Sequence, residues 1–223
     1  MSKPVVYNWP AANTTAICAL QDTAGAANLI LNGSLIVPNY LSPIAVFVGI
    51  SRTVSLTSLN NLAASNFTIS GTLNGQAVSE TRAGPNNNTV YTTQLFDSVT
   101  SVSVNGAVNG ISVGSGTTGR THWFSNNYHS TVLGMSVQVV VANTITYSFQ
   151  TTLDDVQTIA TPTVFSGIVI PQANNAQAFT TVMSAATATA MAGYLWPTRY
   201  SSILISAATD GSLVATFLQQ GIT

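Results

Sequence analysis

The segment from Phe67 to Gly119 constrains the fold most, because it alternates short strand-like blocks with Asn-Gly dipeptides. Apolar and polar side chains alternate over residues 67–72, which is the period of a half-buried strand. Asn74 and Gly75 tolerate the positive φ values of a type I′ turn, so residues 76–82 should pair back antiparallel. The segment therefore predicts an array of antiparallel hairpins.

Strand signals recur along the rest of the chain at intervals of roughly 8 to 12 residues, a spacing typical of β-sandwiches. We therefore predict an all-β fold, an antiparallel β-sandwich or jelly-roll-like structure with at most one or two short helices. The Ala-rich stretch 174–192 is the one candidate helix. Turns are predicted at 114–119 and, as a hairpin, at Asp210-Gly211. The predicted strands are 14–21, 28–36, 44–50, 53–58, 67–72, 76–82, 89–96, 98–104, 135–142, 144–152, 201–207 and 212–218.

The chain divides into two unequal parts. Residues 1–13 contain Pro4 and Pro10 and are predicted to form an extended N-terminal arm, with a disordered tail whose aromatic residues have no role as the open alternative. No linker rich in charge or proline interrupts the remainder, so residues 14–223 are predicted to form a single β-sandwich domain.

Charged residues make up 5% of the 223 residues, against a usual share of about 25%. So few charges give weak self-repulsion, which favours a subunit that lies against other subunits. Five dispersed Lys and Arg residues cannot build a basic patch, so no direct contact with nucleic acid is expected. No run of 18 apolar residues predicts a membrane span, and the first residues lack the apolar core of a secretory signal.

Few side chains could carry chemistry. His122 and His129 follow no metal-ligand spacing, even if Asp97 or the pair Asp154-Asp155 joined them, and no G-x-S-x-G nucleophile motif occurs. Six acids leave little choice for a catalytic carboxylate pair. We expect no enzyme activity, no cofactor and no metal, and we expect the single cysteine, Cys18, to be a small buried hydrophobe.

Five phrases in a fixed order resemble a recurrent type of tailed-bacteriophage virion protein. Together they span most of the chain, and Ala27 departs from the glycine of the first pattern. The resemblance implies a structural protein of the particle. The phrases are ALQDTAGAANLILNG (19–33), FTISGTLNGQAVSETRAGPNNNTVYTTQLFDSVTSVSV (67–104), ISVGSGTTG (111–119), ITYSFQTTLDDV (145–156) and SLVATFLQQG (212–221).

Composition and resemblance together favour a capsid decoration or cement protein of the virion, a homotrimer that clamps subunits of the major capsid protein or other virion proteins. Aromatic side chains of the arm and of the segment 122–129 could fill pockets on such a partner. The candidate partner contacts are Tyr7, Trp9, Trp123, Phe124 and Tyr128.

Two other interpretations stay open. One is a tail or neck component, and the other is a module that binds carbohydrate or a host surface through the aromatic segment. Burial of Trp123 would count against the binding module, whereas exposure beside Asn126 and Asn127 in a groove would favour it.

Overall fold

A computed structural model describes residues 2–37, 42–126, 135–153, 156, 164–165, 168–169, 180–194, 198–208 and 211–219. These residues form β-strands and no helix, and every strand pair is antiparallel, so the predicted all-β class is confirmed. The strands are β1 (Ser2–Trp9), β2 (Cys18–Thr23), β3 (Ala27–Asn28), β4 (Ile36–Val37), β5 (Ile44–Val46), β6 (Ile50–Asn61), β7 (Asn66–Leu73), β8 (Gln76–Ala83), β9 (Asn86–Tyr91), β10 (Ser98–Val104), β11 (Val108–Thr121), β12 (Phe124–Ser125), β13 (Met135–Ala142), β14 (Ile145–Thr152), β15 (Val164–Phe165), β16 (Ile168–Val169), β17 (Thr180–Ala186), β18 (Ala190–Tyr194), β19 (Tyr200–Ala208) and β20 (Gly211–Gln219).

The described strands assemble into three main sheets. The largest has the order β17-β14-β19-β11-β6-β9, and β2 and β12 pair at its side with β11 and β19. A second sheet has the order β4-β5-β10-β7-β8 with β3 on β10, a third has the order β1-β20-β13-β18, and β15 pairs with β16 alone. The inward side chains of all three main sheets belong to one hydrophobic cluster, which is the arrangement of a β-sandwich core.

The hairpin predicted around Asn74 and Gly75 is confirmed. Both residues have positive φ, 49° and 76°, and β7 pairs with β8 from Leu73 opposite Gln76 outward. Phe67 and Ile69 of β7 are fully buried, as their alternation predicted.

A long two-stranded ribbon joins two of the sheets. β13 pairs with β20 from Met135 opposite Gln219 to Ala142 opposite Ser212, and β14 continues against β19 from Ile145 opposite Ala208. Asn143, with a φ of 67°, bends the chain between β13 and β14, so this strand passes from one sheet into the next. The hairpin predicted at Asp210-Gly211 is therefore wrong, because β19 and β20 do not pair with each other.

The predicted helix is also wrong where the structure describes it. Residues 180–194 form β17 and β18, which pair with β14 and β13, whereas residues 174–179 lie outside the described residues. Alternating Ala and Thr have only a weak propensity for helix, so pairing with the open edges of β14 and β13 decides the conformation of this segment. Among the described residues no helix is long and apolar enough to span a membrane.

The glycine-rich residues 114–119 lie inside strand β11 and form no hairpin turn, contrary to the prediction. The pairing of β11 with β6 is irregular between Ser115 and Gly119. A Cβ atom on Gly119 would lie 2.7 Å from the Trp9 ring and would overlap with the carbonyl oxygen of Ser51. The glycines therefore serve close packing in this strand.

Gly71 provides a test of the packing between β7 and β10. A Cβ atom here would overlap with the Ser98 carbonyl oxygen and lie 3.0 Å from the Phe96 ring. We expect Gly71→Ala to lower the free energy of unfolding by about 2 kcal/mol, because backbone would have to move. Urea denaturation measures this, and Gly25→Ala is the matched control, since no atom lies within 4 Å of its added Cβ. Equal losses in the two variants would contradict the packing described.

Candidate functional site

Arg52 in β6 is an unusual side chain of the described structure, because it is a cation that is only 1% exposed. Its Nη1 donates to the Pro10 carbonyl oxygen at 2.9 Å, and its Nε donates to the Gly116 carbonyl oxygen at 3.0 Å. Nη2 donates to the same Gly116 oxygen. The guanidinium lies 4.4 Å from the centre of the Trp9 ring. No carboxylate of the described residues forms an ion pair with it.

Carbonyl dipoles and an aromatic face therefore replace the usual counter-ion of Arg52. Burial lowers the pKa of Arg52 to about 10, so the group still carries its charge at neutral pH. Its contacts attach residues 9–10 to β6 and β11, which lie 42 and more positions away in the sequence.

Most of the predicted N-terminal arm forms strand β1. Ser2–Trp9 pairs with β20 along its whole length, because the edge of that strand offers unpaired backbone groups. Trp9 is fully buried in the hydrophobic core of its own chain, so the isolated chain does not present this ring to a partner. Tyr7 is partly buried and packs against the same core.

A cavity of about 560 Å³ lies next to the Arg52 side chain, between residues 7–13 and the loop 46–50. Among the described residues its lining is mostly apolar, and Arg52 is the one charged residue of that lining. Val48 belongs to the lining and is 86% exposed, so the cavity opens to solvent at this loop. Apolar lining residues include Pro10, Ala11, Leu35, Val46, Phe47 and Ile50.

Asp97 joins three segments through its carboxylate. Oδ1 accepts from the Ser51 hydroxyl at 2.5 Å and lies 3.2 Å from Nε2 of His122, while Oδ2 accepts from the Asn74 amide at 2.5 Å. The hydrogen bond to Asp97 raises the pKa of His122, burial opposes this shift, and the charge of Asp97 adds to it. The site thus connects β6, the β7–β8 turn and the end of β11.

Ser51, Asp97 and His122 do not have the order of a serine triad. In a triad the imidazole stands between hydroxyl and carboxylate and takes the hydroxyl proton. Here the carboxylate stands in the middle and accepts from both neighbours, so no imidazole contacts the Ser51 hydroxyl among the described contacts. In the described part of the chain no three His, Cys, Asp or Glu side chains lie close enough to hold a metal ion.

The carboxylates of the other described acidic residues accept hydrogen bonds from backbone amides. Asp22 accepts from the Gly110 amide at 2.6 Å, and Glu80 accepts from the amides of Thr93 and Gln94. Asp154, Asp155 and Asp210 lie outside the described residues, as does His129. Cys18 is fully buried, as predicted, and burial raises the pKa of its thiol to about 12.

Trp123 and Phe124, the described aromatic residues of the segment 122–129, pack against other residues of their own chain. Trp123 is partly buried, lies 4.6 Å from the Arg120 guanidinium and packs against Val156 and Tyr200. Phe124 packs against the main core. These contacts hold both rings against their own sheet.

Asn126, which lies close to Trp123 in the sequence, is buried. Its amide donates to Thr198 at 2.9 Å and to Ser201 at 2.7 Å. Trp123 and Asn126 therefore do not form an open groove, which counts against a carbohydrate module. Asn127 and Tyr128 lie outside the described residues. Contact of Tyr7, Trp123, Phe124 and Tyr128 with a partner stays a prediction.

The sequence pattern around Arg52 already indicates that this side chain is buried. Arg52, Val54 and Leu56 share one face of a strand by alternation, so a lone arginine in phase with buried apolar residues indicates a buried cation. Its partners at residues 9, 10 and 116 are too distant in the sequence to be predicted by spacing.

The Trp9 contact predicts a large stability effect. Trp9→Ala should lower the free energy of unfolding by about 3 to 5 kcal/mol, because it leaves a cavity and removes the ring that faces Arg52. Denaturant unfolding measures the loss. Leu59→Ala, at a side chain that is 85% exposed, is the control and should change stability by less than about 0.5 kcal/mol. Similar values for both variants would show that Trp9 does not anchor the chain.

The His122 contact predicts a pH-dependent effect. Since the folded pKa of His122 is raised, its contribution is complete below the unfolded pKa of about 6.5 and is lost as the pH rises through the folded value. His122→Gln should therefore cost more stability near pH 5.5 than near pH 8.5. Because the ring is 45% exposed, the difference should not exceed about 1 kcal/mol. Urea unfolding at both pH values tests this, and an equal loss at both would exclude the ion pair.

The chain has distant likenesses to two solved structures. No family model matches the chain, and no curated protein matches it. The crystal structure of the PBSX exported protein XepA matches with a TM-score of 0.27 and 8% identity, over 96% of this chain and 85% of that one. The major capsid protein P2 from bacteriophage PM2 matches with a TM-score of 0.21 and 9% identity, over 99% and 100% of the two chains. At TM-scores this low, neither likeness establishes a shared fold.

Proposed function

We propose that this protein is a non-enzymatic structural protein of a bacteriophage virion, most specifically a capsid decoration or cement protein. The observation that carries the proposal is a surface that combines very few charges with large exposed apolar side chains. Val48, Leu59, Met191, Leu153 and Leu20 are exposed by 86, 85, 74, 70 and 69%.

Such a surface suits a protein that is covered by neighbours in its working state. Charges keep free proteins apart, and 11 Asp, Glu, Lys and Arg residues in 223 provide little of this protection. Scattered exposed apolar residues are ordinary on any protein surface, whereas a surface with few charges and a net charge near zero favours association. The composition therefore supports a permanent place in an assembly.

The ordered sequence phrases support the virion as that assembly. The second phrase covers β7, β8, β9 and β10, the fourth covers β14, and the fifth covers most of β20. They thus lie in the strands that build the sandwich, and the resemblance concerns the scaffold more than any site. This fits a family that shares a framework and differs in its contacts.

Within the particle, we propose a homotrimer that clamps subunits of the major capsid protein. Tyr7, Trp123, Phe124 and Tyr128 are the proposed contacts, since the first three are only partly buried in their own chain. No direct contact with nucleic acid and no catalysis form part of the proposal.

Purified particles test the proposal directly. Virions of the encoding phage, banded on a density gradient, should contain this chain in a fixed ratio to the major capsid protein when measured by quantitative mass spectrometry. Cryo-electron microscopy should place it on the outer capsid surface. Density in the tail or neck instead would establish the alternative structural role, and absence of the chain from particles would overturn both.

A matched pair of particles separates cement from mere decoration. Virions that lack this chain should lose infectivity faster on heating than virions to which the purified chain has been added back. Light scattering after size exclusion should give three times the 23.1 kDa of one chain. A strict monomer would contradict the trimer, and equal heat stability would contradict the cement role.

A further inference from the structure

The cavity beside Arg52 has features of a ligand site that the proposed structural role does not use. Its volume of about 560 Å³ lies in the range of small-molecule pockets, about 300 to 1,000 Å³. Such pockets combine a mostly apolar wall with a few placed polar groups. Here the wall is Leu35, Val46, Phe47 and Ile50, and Arg52 is the charged group.

Arg52 keeps donor capacity after its internal contacts are counted. A guanidinium has five N–H groups, and three hydrogen bonds connect Arg52 to the carbonyl oxygens of Pro10 and Gly116. Two N–H groups, one on Nη1 and one on Nη2, have no acceptor among the described residues. Arg52 thus lines the cavity with two N–H groups that its own chain does not use, and it forms no ion pair with a carboxylate of the described residues.

We propose that this cavity binds an apolar group that carries one carboxylate. The apolar body lies against Leu35, Val46, Phe47 and Ile50, and the carboxylate accepts hydrogen bonds from Arg52. This inference is independent of the place of the protein in a virion.

A single carboxylate fits the charges better than other anions do. It neutralises one cation, and its two oxygens match the geometry of a guanidinium edge. A doubly charged phosphate would keep one uncompensated charge against an apolar wall, which is costly.

Octanoate is a suitable probe, and 1-octanol is its uncharged control of the same length. Titration of the isotope-labelled full chain, followed by amide NMR shifts of Ser34 and Gly49 at the cavity wall, measures both affinities. We expect octanoate to bind at least tenfold more tightly than 1-octanol at neutral pH. Absence of saturable octanoate binding, or equal affinity for both, would overturn the proposal unless the peptide described below binds.

Two Val→Trp variants locate the site. Val46→Trp should fill the cavity and abolish binding, whereas Val140→Trp, at a side chain that is 43% exposed and does not line it, should bind octanoate like the wild type. Arg52→Met should reduce octanoate affinity to that of 1-octanol. If this variant does not fold, the comparison of octanoate with 1-octanol on the wild type still decides the role of the charge.

The same chemistry occurs in a free amphiphile and at the end of a peptide chain. The tripeptide acetyl-Ala-Ala-Leu with a free carboxyl end, compared with its amide, separates the two sources. Octanoate alone binding would identify a small amphiphile, and a tenfold preference for the free peptide would identify a chain end. If neither probe binds in a carboxylate-dependent way, the cavity is not such a site, and the virion proposal is unaffected because its test uses particles.

Discussion

The contact between the Arg52 guanidinium, the Trp9 ring and two carbonyl oxygens is the constraint on which much of this structure depends. It connects β1 to β6 and β11, although β20 is the only described strand that pairs with β1. A buried cation without a carboxylate needs several dipoles in fixed positions, so the backbone at Pro10 and Gly116 must be ordered as well. One side chain therefore fixes the relation between two sheets.

Asp97 has a similar role on the other side of β6. Its carboxylate holds a hydroxyl, a turn amide and an imidazole, and its backbone bonds to Phe47 and Thr72. Asp97 and Arg52 thus both use their charges to hold separate strands of the chain together.

Local chemistry made part of the fold predictable. Asn74-Gly75 determines its hairpin because the turn geometry requires residues that tolerate positive φ. The two strands on either side of Asn143 could also be predicted from the sequence, but the strands with which they pair could not. An Asn with positive φ can bend a strand as well as reverse it. Strands β17 and β18 form because they pair with β14 and β13, which are distant in the sequence, so the local sequence does not predict them. The Arg52 site likewise depends on contacts across more than 40 positions.

The pairing of β1 with β20 has a consequence for how the protein folds. Ser2 lies opposite Leu218, so β1 pairs with a strand that is synthesised about 200 positions later in the chain. Contacts between such distant positions carry a large loop-closure entropy and slow the search for the native state. Until then β1 exposes an unpaired edge, and a nascent chain in this state is prone to pair with a copy of itself. Folding of this protein is therefore completed only after residues 211–219 have left the ribosome.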